Sequence, residues 1–310
     1  QTTDKNVSAI GPTWLTKFQF LWERFIIWIS NRFDKKRLFQ VSFANTGTDV
    51  TKLKEFREAD IIHLHWVNQG MLSLNDIERI VRSGKPVVWT MHDMWPFTGV
   101  CHYNDGCENY ITDCGSCHLL GSESNNDISG KLQARKMKIF DKGNIAFVAC
   151  SKWLRDIAAE SALVKDRSVT NVPSTIDMRT YKEKDKKIIR EKYNLPIDKR
   201  LLLFSSAKTS EKRKGFSYLV EACCILQERY PDLCKELGVI ILGKSNEEAM
   251  DIPLPSYTMS YIKDDEGLSE IYNAADVYVT PSLQDNLPNT IMEALACSLP
   301  CVGFNVGGIP

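Results

Sequence analysis

Asp285 and Glu293 stand eight positions apart, on either side of Asn286-Leu287-Pro288-Asn289, where a strand pattern (Val277–Thr280) gives way to a helical one (Thr290–Ala296). Proline in a first helical turn costs little, because its missing N–H would have no helical partner there. The N–H groups around Asn286, Leu287, Asn289 and Thr290 therefore form a candidate phosphate site, reinforced by the positive end of the helix dipole. Glu293, about one turn into the helix, can accept two hydrogen bonds from the vicinal hydroxyls of a ribose. Asp285, before the helix, would face whatever lies beyond the phosphates. On spacing alone, an acidic helix start and a surface glutamate explain the pair better. Gly307-Gly308 follows, a pair that lets backbone approach a ligand closely.

A second constellation lies in one polar loop, Cys101–Gly121, where Cys101, Cys107, Cys114 and Cys117 are spaced Cys-x5-Cys-x6-Cys-x2-Cys with His102 and His118 beside them. The Cys114-x2-Cys117 knuckle is a common half of a zinc site, and four thiolates could close a structural tetrahedron. Reduced thiols packing a loop, or one or two disulfides, fit the same spacing. A catalytic role for these cysteines is not expected.

Short apolar runs alternate with helical periodicity along most of the chain, the pattern of parallel sheets with helices on both faces. Strands are expected at Leu38–Phe43, Ile61–His65, Pro86–Met91, Ile145–Cys150 and Val169–Val172, with helices at Val50–Ala59, Asn75–Arg82, Ser129–Phe140 and Lys152–Glu160. After a charged stretch, Tyr181–Arg200, the alternation restarts: strands Leu201–Ser205, Val239–Leu242, Val277–Thr280 and Cys301–Phe304, helices Phe216–Arg229, Leu268–Ala274 and Thr290–Ala296. Two α/β domains follow, residues 1–175 and 176–310, with the boundary in or near 173–195. In Trp14–Phe33, Trp14, Phe18, Leu21, Trp22, Phe25 and Ile29 repeat at helical spacing near Lys17, Arg24 and Arg32. A helix packed by its apolar face on the N-terminal sheet is the favoured expectation; peripheral contact with a membrane interface is the other.

Composition sets bounds. The 310 residues are 43% hydrophobic and 25% charged, with 39 basic and 39 acidic side chains, which argues against a broad nucleic-acid surface. No apolar run reaches the roughly 18 residues of a membrane span. The other six cysteines sit in or beside apolar segments, as buried thiols do, so a reducing cytoplasm is expected. The chain begins at Gln1 without methionine, so a signal peptide could have been removed.

Asp285, Glu293, Ser298-Leu299-Pro300-Cys301-Val302 and Gly307-Gly308-Ile309-Pro310 resemble, in order and spacing, the donor domain of the retaining glycosyltransferases of family 4. The resemblance extends to Ser205–Ala222 (SSAKTSEKRKGFSYLVEA), Asp60–Trp66 (DIIHLHW), Pro86–Gly99 (PVVWTMHDMWPFTG), Val148–Leu154 and Val172–Asp177, so it runs from about residue 60 to 310. Through His92–Cys117 it is closest to a cysteine-loop subset of bacterial polysaccharide biosynthesis. Asp285 stands where the family usually has Glu, and Ser174-Thr175 replaces Asn-Gly. The resemblance implies a GT-B fold, two Rossmann-like parallel-sheet domains facing an interdomain cleft. It implies a retaining transferase moving a hexose-type sugar from a nucleotide-diphosphate sugar to a hydroxyl of a glycan or lipid-linked acceptor. No catalytic metal and no nucleic-acid partner is implied. Lys208 and Lys214 would hold the diphosphate, supplying positive charge as the glycosidic bond breaks. Asp285 would bind the donor sugar and His92 would reach it from the N-terminal domain, while His63 is read as a strand-buried structural histidine. The family's pattern also implies a fragment incomplete at both ends, in the cytoplasm or at the inner face of its membrane. The rivals are a non-catalytic sugar-nucleotide-binding protein and a GT-B nucleotide-sugar epimerase.

Overall fold

Strands buried on both faces must be apolar nearly throughout, and Val87-Val88-Trp89-Thr90-Met91 and Val239-Ile240-Ile241-Leu242 meet that demand. A computed structural model describes residues 7–35, 37–244, 251–259, 262 and 264–310. The chain divides into two units, residues 1–173 and 174–310.

The N-terminal unit opens with α1 (Thr13–Ser30) and α2 (Lys54–Glu58), then β1 (Ile62–Leu64), α3 (Leu74–Arg82), β2 (Val87–Met91), α4 (Ile128–Phe140), β3 (Ile145–Ala149), α5 (Lys152–Glu160) and β4 (Val169–Asn171). Its sheet runs β1-β2-β3-β4, parallel throughout, with Val87 opposite Ile62 and Ile145. The core is aromatic: Trp89 stacks on Phe147 and meets Phe140 edge-on, and all three are fully buried. Helix α3 begins in a reciprocal cap, Ser73 Oγ accepting from the Asp76 N–H while the Asp76 carboxylate accepts from the Ser73 N–H.

The C-terminal unit contains α6 (Lys186–Lys192), β5 (Arg200–Lys208), α7 (Phe216–Arg229), α8 (Pro231–Cys234), β6 (Leu237–Lys244), β7 (Ser256–Met259), α9 (Asp265–Ala274), β8 (Val277–Thr280), α10 (Asn289–Ala296) and β9 (Cys301–Gly303). Its strand order is β7-β6-β5-β8-β9, again all parallel. Alternate residues of the central strand serve opposite faces: Leu201 and Leu203 join one cluster with Ile240, Tyr272 and Tyr278, while Phe204 joins Phe216, Val239 and Ile241 in the other. Two α/β units with parallel sheets are the expected fold class.

Two expectations need correction, and one element lies where none was expected. Leu38–Phe43 forms no strand; Val41 makes a single antiparallel bridge to Cys101, and the segment is occupied with α1 instead. The charged stretch holds a helix, α6, anchored by buried Ile189 and Arg190. Helix α1 is inverted relative to the favoured expectation. It buries Gln19, Glu23, Arg24 and Ile27, and leaves Trp14 (70% exposed), Phe18, Leu21, Trp22, Phe25 and Ile29 facing outward. Hydrogen bonds explain this orientation. Glu23 accepts from the Phe43 and Ala44 N–H groups at 2.9 Å each, Gln19 donates to the Gly47 carbonyl, and Arg24 donates to Ser42 and the Leu38 carbonyl.

Candidate functional site

The donor-side residues gather where β5, β8 and β9 end. After β5 the chain turns through Lys212–Lys214 into Gly215, which has φ +70° and starts α7. A Cβ on Gly215 would stand 1.8 Å from the Pro281 carbonyl oxygen, so only glycine lets this loop lie against the loop after β8. Main chain ties the two loops: the Leu283 N–H donates to the Arg213 carbonyl at 2.8 Å, and the Arg213 guanidinium donates to the Gln284 carbonyl at 2.8 Å.

This packing brings Lys214 and Asp285, 71 residues apart in sequence, into a 2.6 Å ion pair. Arg213 adds a second contact to the same Asp285 oxygen at 3.2 Å. Asp285 is 6% exposed, and its other oxygen accepts the Asn286 N–H at 3.1 Å. Asn286 is buried, Asn289 exposed, and Leu287 and Thr290 lie between. Helix α10 carries no side-chain cap at its Pro288 start and no acidic residue in its first turn, which leaves its positive end suited to an anion. Lys208 is exposed at the end of β5.

Glu293 accepts a 2.7 Å hydrogen bond from the Tyr272 hydroxyl. Burial pushes its carboxyl above the ordinary range, with Asp265 adding to the rise while the Tyr272 bond opposes it. Tyr278, between Ser205 and Thr290, is pushed up to about 12, chiefly by burial. Gly307 has φ +60° and no room for a Cβ, which would stand 2.2 Å from the Asp285 carbonyl oxygen. The Gly308 N–H donates to that same carbonyl at 2.8 Å. The glycine pair thus brings backbone against Asp285, the protein's own chain.

In the N-terminal unit, three histidines cluster where β1 and β2 end. His65 Nδ1 lies 3.0 Å from His92 Nε2, and the His63 and His65 rings are 4.2 Å apart. His63 is exposed and hydrogen-bonded to Thr90 at 2.8 Å, not strand-buried. Residues two apart on a strand share a face, which is why it sides with His65. Desolvation lowers the pKa of both partners, assisted by His63 and His92 at His65; at His92 Asp93 opposes the fall and His63 adds to it. Beside them Asp93 is buried; desolvation alone would raise it, but His102 at 2.7 Å, the Trp95 N–H and the Trp66 indole hold it below the usual range. The sequence pattern placed His102 only beside the loop cysteines and did not pair it with Asp93, because nothing in local spacing shows that a loop folds one onto the other.

The four loop cysteines line one small pocket with Asn104 and His118. All are free thiols, and burial raises Cys101 to about 12, Cys114 to about 11 and Cys117 in the same direction. Among the described residues, no three His, Cys, Asp or Glu side chains already stand together as a metal-ligand set. No helix among these residues is long and apolar enough to cross a membrane.

Residues 199–310 match the family described as glycosyl transferases group 1. The D-inositol 3-phosphate glycosyltransferase of Arthrobacter sp. (strain FB24) is 31% identical over 267 residues, covering 81% of this chain and 55% of that protein. A putative colanic acid biosynthesis glycosyl transferase, WcaC, of Escherichia coli (strain K12) is 37% identical over 68 residues, 20% of this chain and 17% of its own. The solved structure of Anabaena Alr3699/HepE in complex with UDP is 14% identical with a TM-score of 0.55, over 81% of this chain and 61% of that one; at this identity the likeness is one of fold. The chain thus spans less than two thirds of the length of each of these proteins.

Proposed function

We propose that this chain, whose residues 199–310 form a group 1 glycosyltransferase domain, moves a hexose-type sugar from a nucleotide-diphosphate sugar to a hydroxyl of a glycan or lipid-linked saccharide, with retention at the anomeric carbon. The observation that carries it is the convergence of Lys214, Asp285, the uncapped start of α10 and Glu293 at the strand ends of one parallel sheet, where open α/β sheets take their ligands. Lys208, Lys214 and the amides of Asn286–Thr290 hold the diphosphate and Glu293 the ribose. Asp285 takes sugar hydroxyls once the diphosphate draws Lys214 away. As the glycosidic bond breaks, its electron pair goes to the diphosphate oxygen, where the lysines offset the new charge. The acceptor oxygen forms the new bond, and its proton passes to the departing phosphate. Positioning and leaving-group stabilisation thus supply the rate, without a catalytic metal. His92, whose pKa desolvation lowers, is a further candidate for a role in the chemistry.

The test is a panel of UDP-, GDP- and ADP-sugars assayed for transfer and hydrolysis, with nucleotide binding measured in parallel. Turnover by the wild type that falls at least about 100-fold in Lys214→Ala, where a donor to transition-state charge is lost, supports transfer. Nucleotide binding that is unaffected by Glu293→Ala and Lys214→Ala, in a chain with no turnover, sinks it.

The outward face of α1 supports a cytoplasmic protein working at a membrane surface. Phe18 stacks on Trp22, and Trp22 meets Phe25 and Phe25 meets Trp28 in tilted pairs, with exposed Lys17, Arg32 and Lys35 around them. Aromatic rings in the interface and cations against anionic headgroups suit such a helix. The chain should sediment with phosphatidylglycerol vesicles, and Phe18→Ser with Trp22→Ser should weaken this at least about tenfold, each ring contributing roughly 1.5–3 kcal/mol of burial. Wild-type protein that stays in the supernatant at low salt would exclude this role.

A further inference from the structure

We infer that the cysteine loop is a structural zinc site, with Cys101, Cys107, Cys114 and Cys117 as ligands and Lys136 as the buried cation that offsets part of their charge. Metal binding here is independent of sugar transfer.

The first observation is convergence. Four thiols from a stretch of 17 residues line a single pocket, and the loop that carries them, from Cys101 to Asp127, holds only three-residue helical turns. Connections this long without regular structure are uncommon in compact domains. Here the backbone is nonetheless closely packed. A Cβ on Gly99, Gly115 or Gly130 would stand 2.4–2.5 Å from the carbonyl oxygens of Ser129, Asn125 and Cys114. The start of α4 grips the knuckle: the Cys114 N–H donates to Gln133 at 2.6 Å and the Cys117 N–H to Asp127 at 2.8 Å.

The second observation is that the knuckle's backbone is held on either side of the sulfurs. The Ser122 N–H donates to the Cys117 carbonyl at 3.1 Å and the Asn109 side chain to the Gly115 carbonyl at 3.0 Å.

The third lies beneath the loop. Lys136 is 1% exposed, its ammonium donating to the Trp95 and Thr98 carbonyls at 2.6 and 2.9 Å and sitting 3.5 Å over the Trp95 ring. Among the described residues no carboxylate lies within ion-pair distance of it. The ionisable groups that act on it are Cys101 and Cys114, ahead of Asp93, and Asp93 is already bound to His102. A buried ammonium with no counter-charge costs several kcal/mol. Zinc on four thiolates carries a formal charge of about −2, so one neighbouring cation offsets half of it. Binding draws the four sulfurs inward onto Zn²⁺ and releases four protons to solvent, one from each thiol.

The test is the metal content of the full chain, purified under reducing conditions without chelator and measured by mass spectrometry. Close to one zinc per chain is expected, released in step with blocking of thiols by an organomercurial. Exchange into Co²⁺ should give tetrahedral d–d bands and a thiolate-to-cobalt charge-transfer band. The Cys114→Ser, Cys117→Ser chain should lose the metal, and Cys224→Ser, outside the loop, should keep it. Lys136→Met should lose zinc to a competing chelator roughly 10–100-fold more readily, the range for neighbours of metal ligands. The organomercurial release needs only wild-type protein, so a variant that fails to fold does not protect the idea. Metal-free protein with all four thiols titrating, stoichiometric iron in place of zinc, or a disulfide among the four under non-reducing mass analysis overturns it.

Discussion

At the scale of single residues, the donor-side groups work against each other in the free protein. Glu293 is partly buried with its pKa raised by desolvation, a poor arrangement for folding and a good one for gripping hydroxyls. A carboxyl raised in the fold gives its full stability below the ordinary carboxylate range and loses it as pH climbs through the raised value. At pH 7 the wild type therefore carries a penalty. Glu293→Gln should melt higher than wild type at pH 7, with the gap closing in acid. It should also bind nucleoside diphosphate about 10–100-fold more weakly, the cost of one charged hydrogen-bonding group. His65 and His92 have the opposite sign. Their lowered pKa values give stability that is present above the ordinary histidine value of about 6.5 and lost as pH falls through the lowered ones. Melting temperature should decline as pH falls below about 6.5, and His65→Asn with His92→Asn should flatten that decline. A wild-type curve that is level over this range would contradict the assignment.

At the scale of elements, Gly215 is the position least open to change in the donor half. Its left-handed φ and the 1.8 Å approach to Pro281 mean that Gly215→Ala must displace backbone. The expected cost is at least about 2 kcal/mol in urea unfolding, together with loss of nucleotide binding. The sequence displayed this loop's type but not its partner. Lys214 and Asp285 were both read as ligand groups, yet their 2.6 Å pairing depends on two loops 71 residues apart and leaves no local trace. Long periodic segments were legible: α7 begins and ends at Phe216 and Arg229 as expected, as does α5 at Lys152 and Glu160. Short ones were not. Helix α6 has seven residues amid lysines and glutamates, and β7 is a four-residue edge strand. Helix α1 was found but turned the wrong way. Periodicity reveals that a helix has two faces, and it was the demand of unpaired N–H groups at Phe43 and Ala44 that drew Glu23 inward.

At the scale of the molecule, two parallel-sheet units were foreseeable because apolar runs alternated with helical ones in two blocks around a charged stretch. Charge speaks at this scale too. With 39 cations and 39 anions, the chain should show no salt-dependent retention on duplex or single-stranded nucleic acid at low ionic strength, and steep retention would revise its partner class. The two glycine contacts have a further consequence. Gly215 seats the loop after β5 on that after β8, and Gly307 seats the segment after β9 on Asp285, so close main-chain approach fastens three loops, with Arg213 and Lys214 adding side-chain ties. Exposed side chains outside those ties can be exchanged without disturbing them. On the proposed function, attempts to change the sugar nucleotide taken should therefore leave Gly215 and Gly307 untouched and diversify exposed neighbours such as Leu283 and Phe304, where a new preference can be installed while the fastened loops keep their shape.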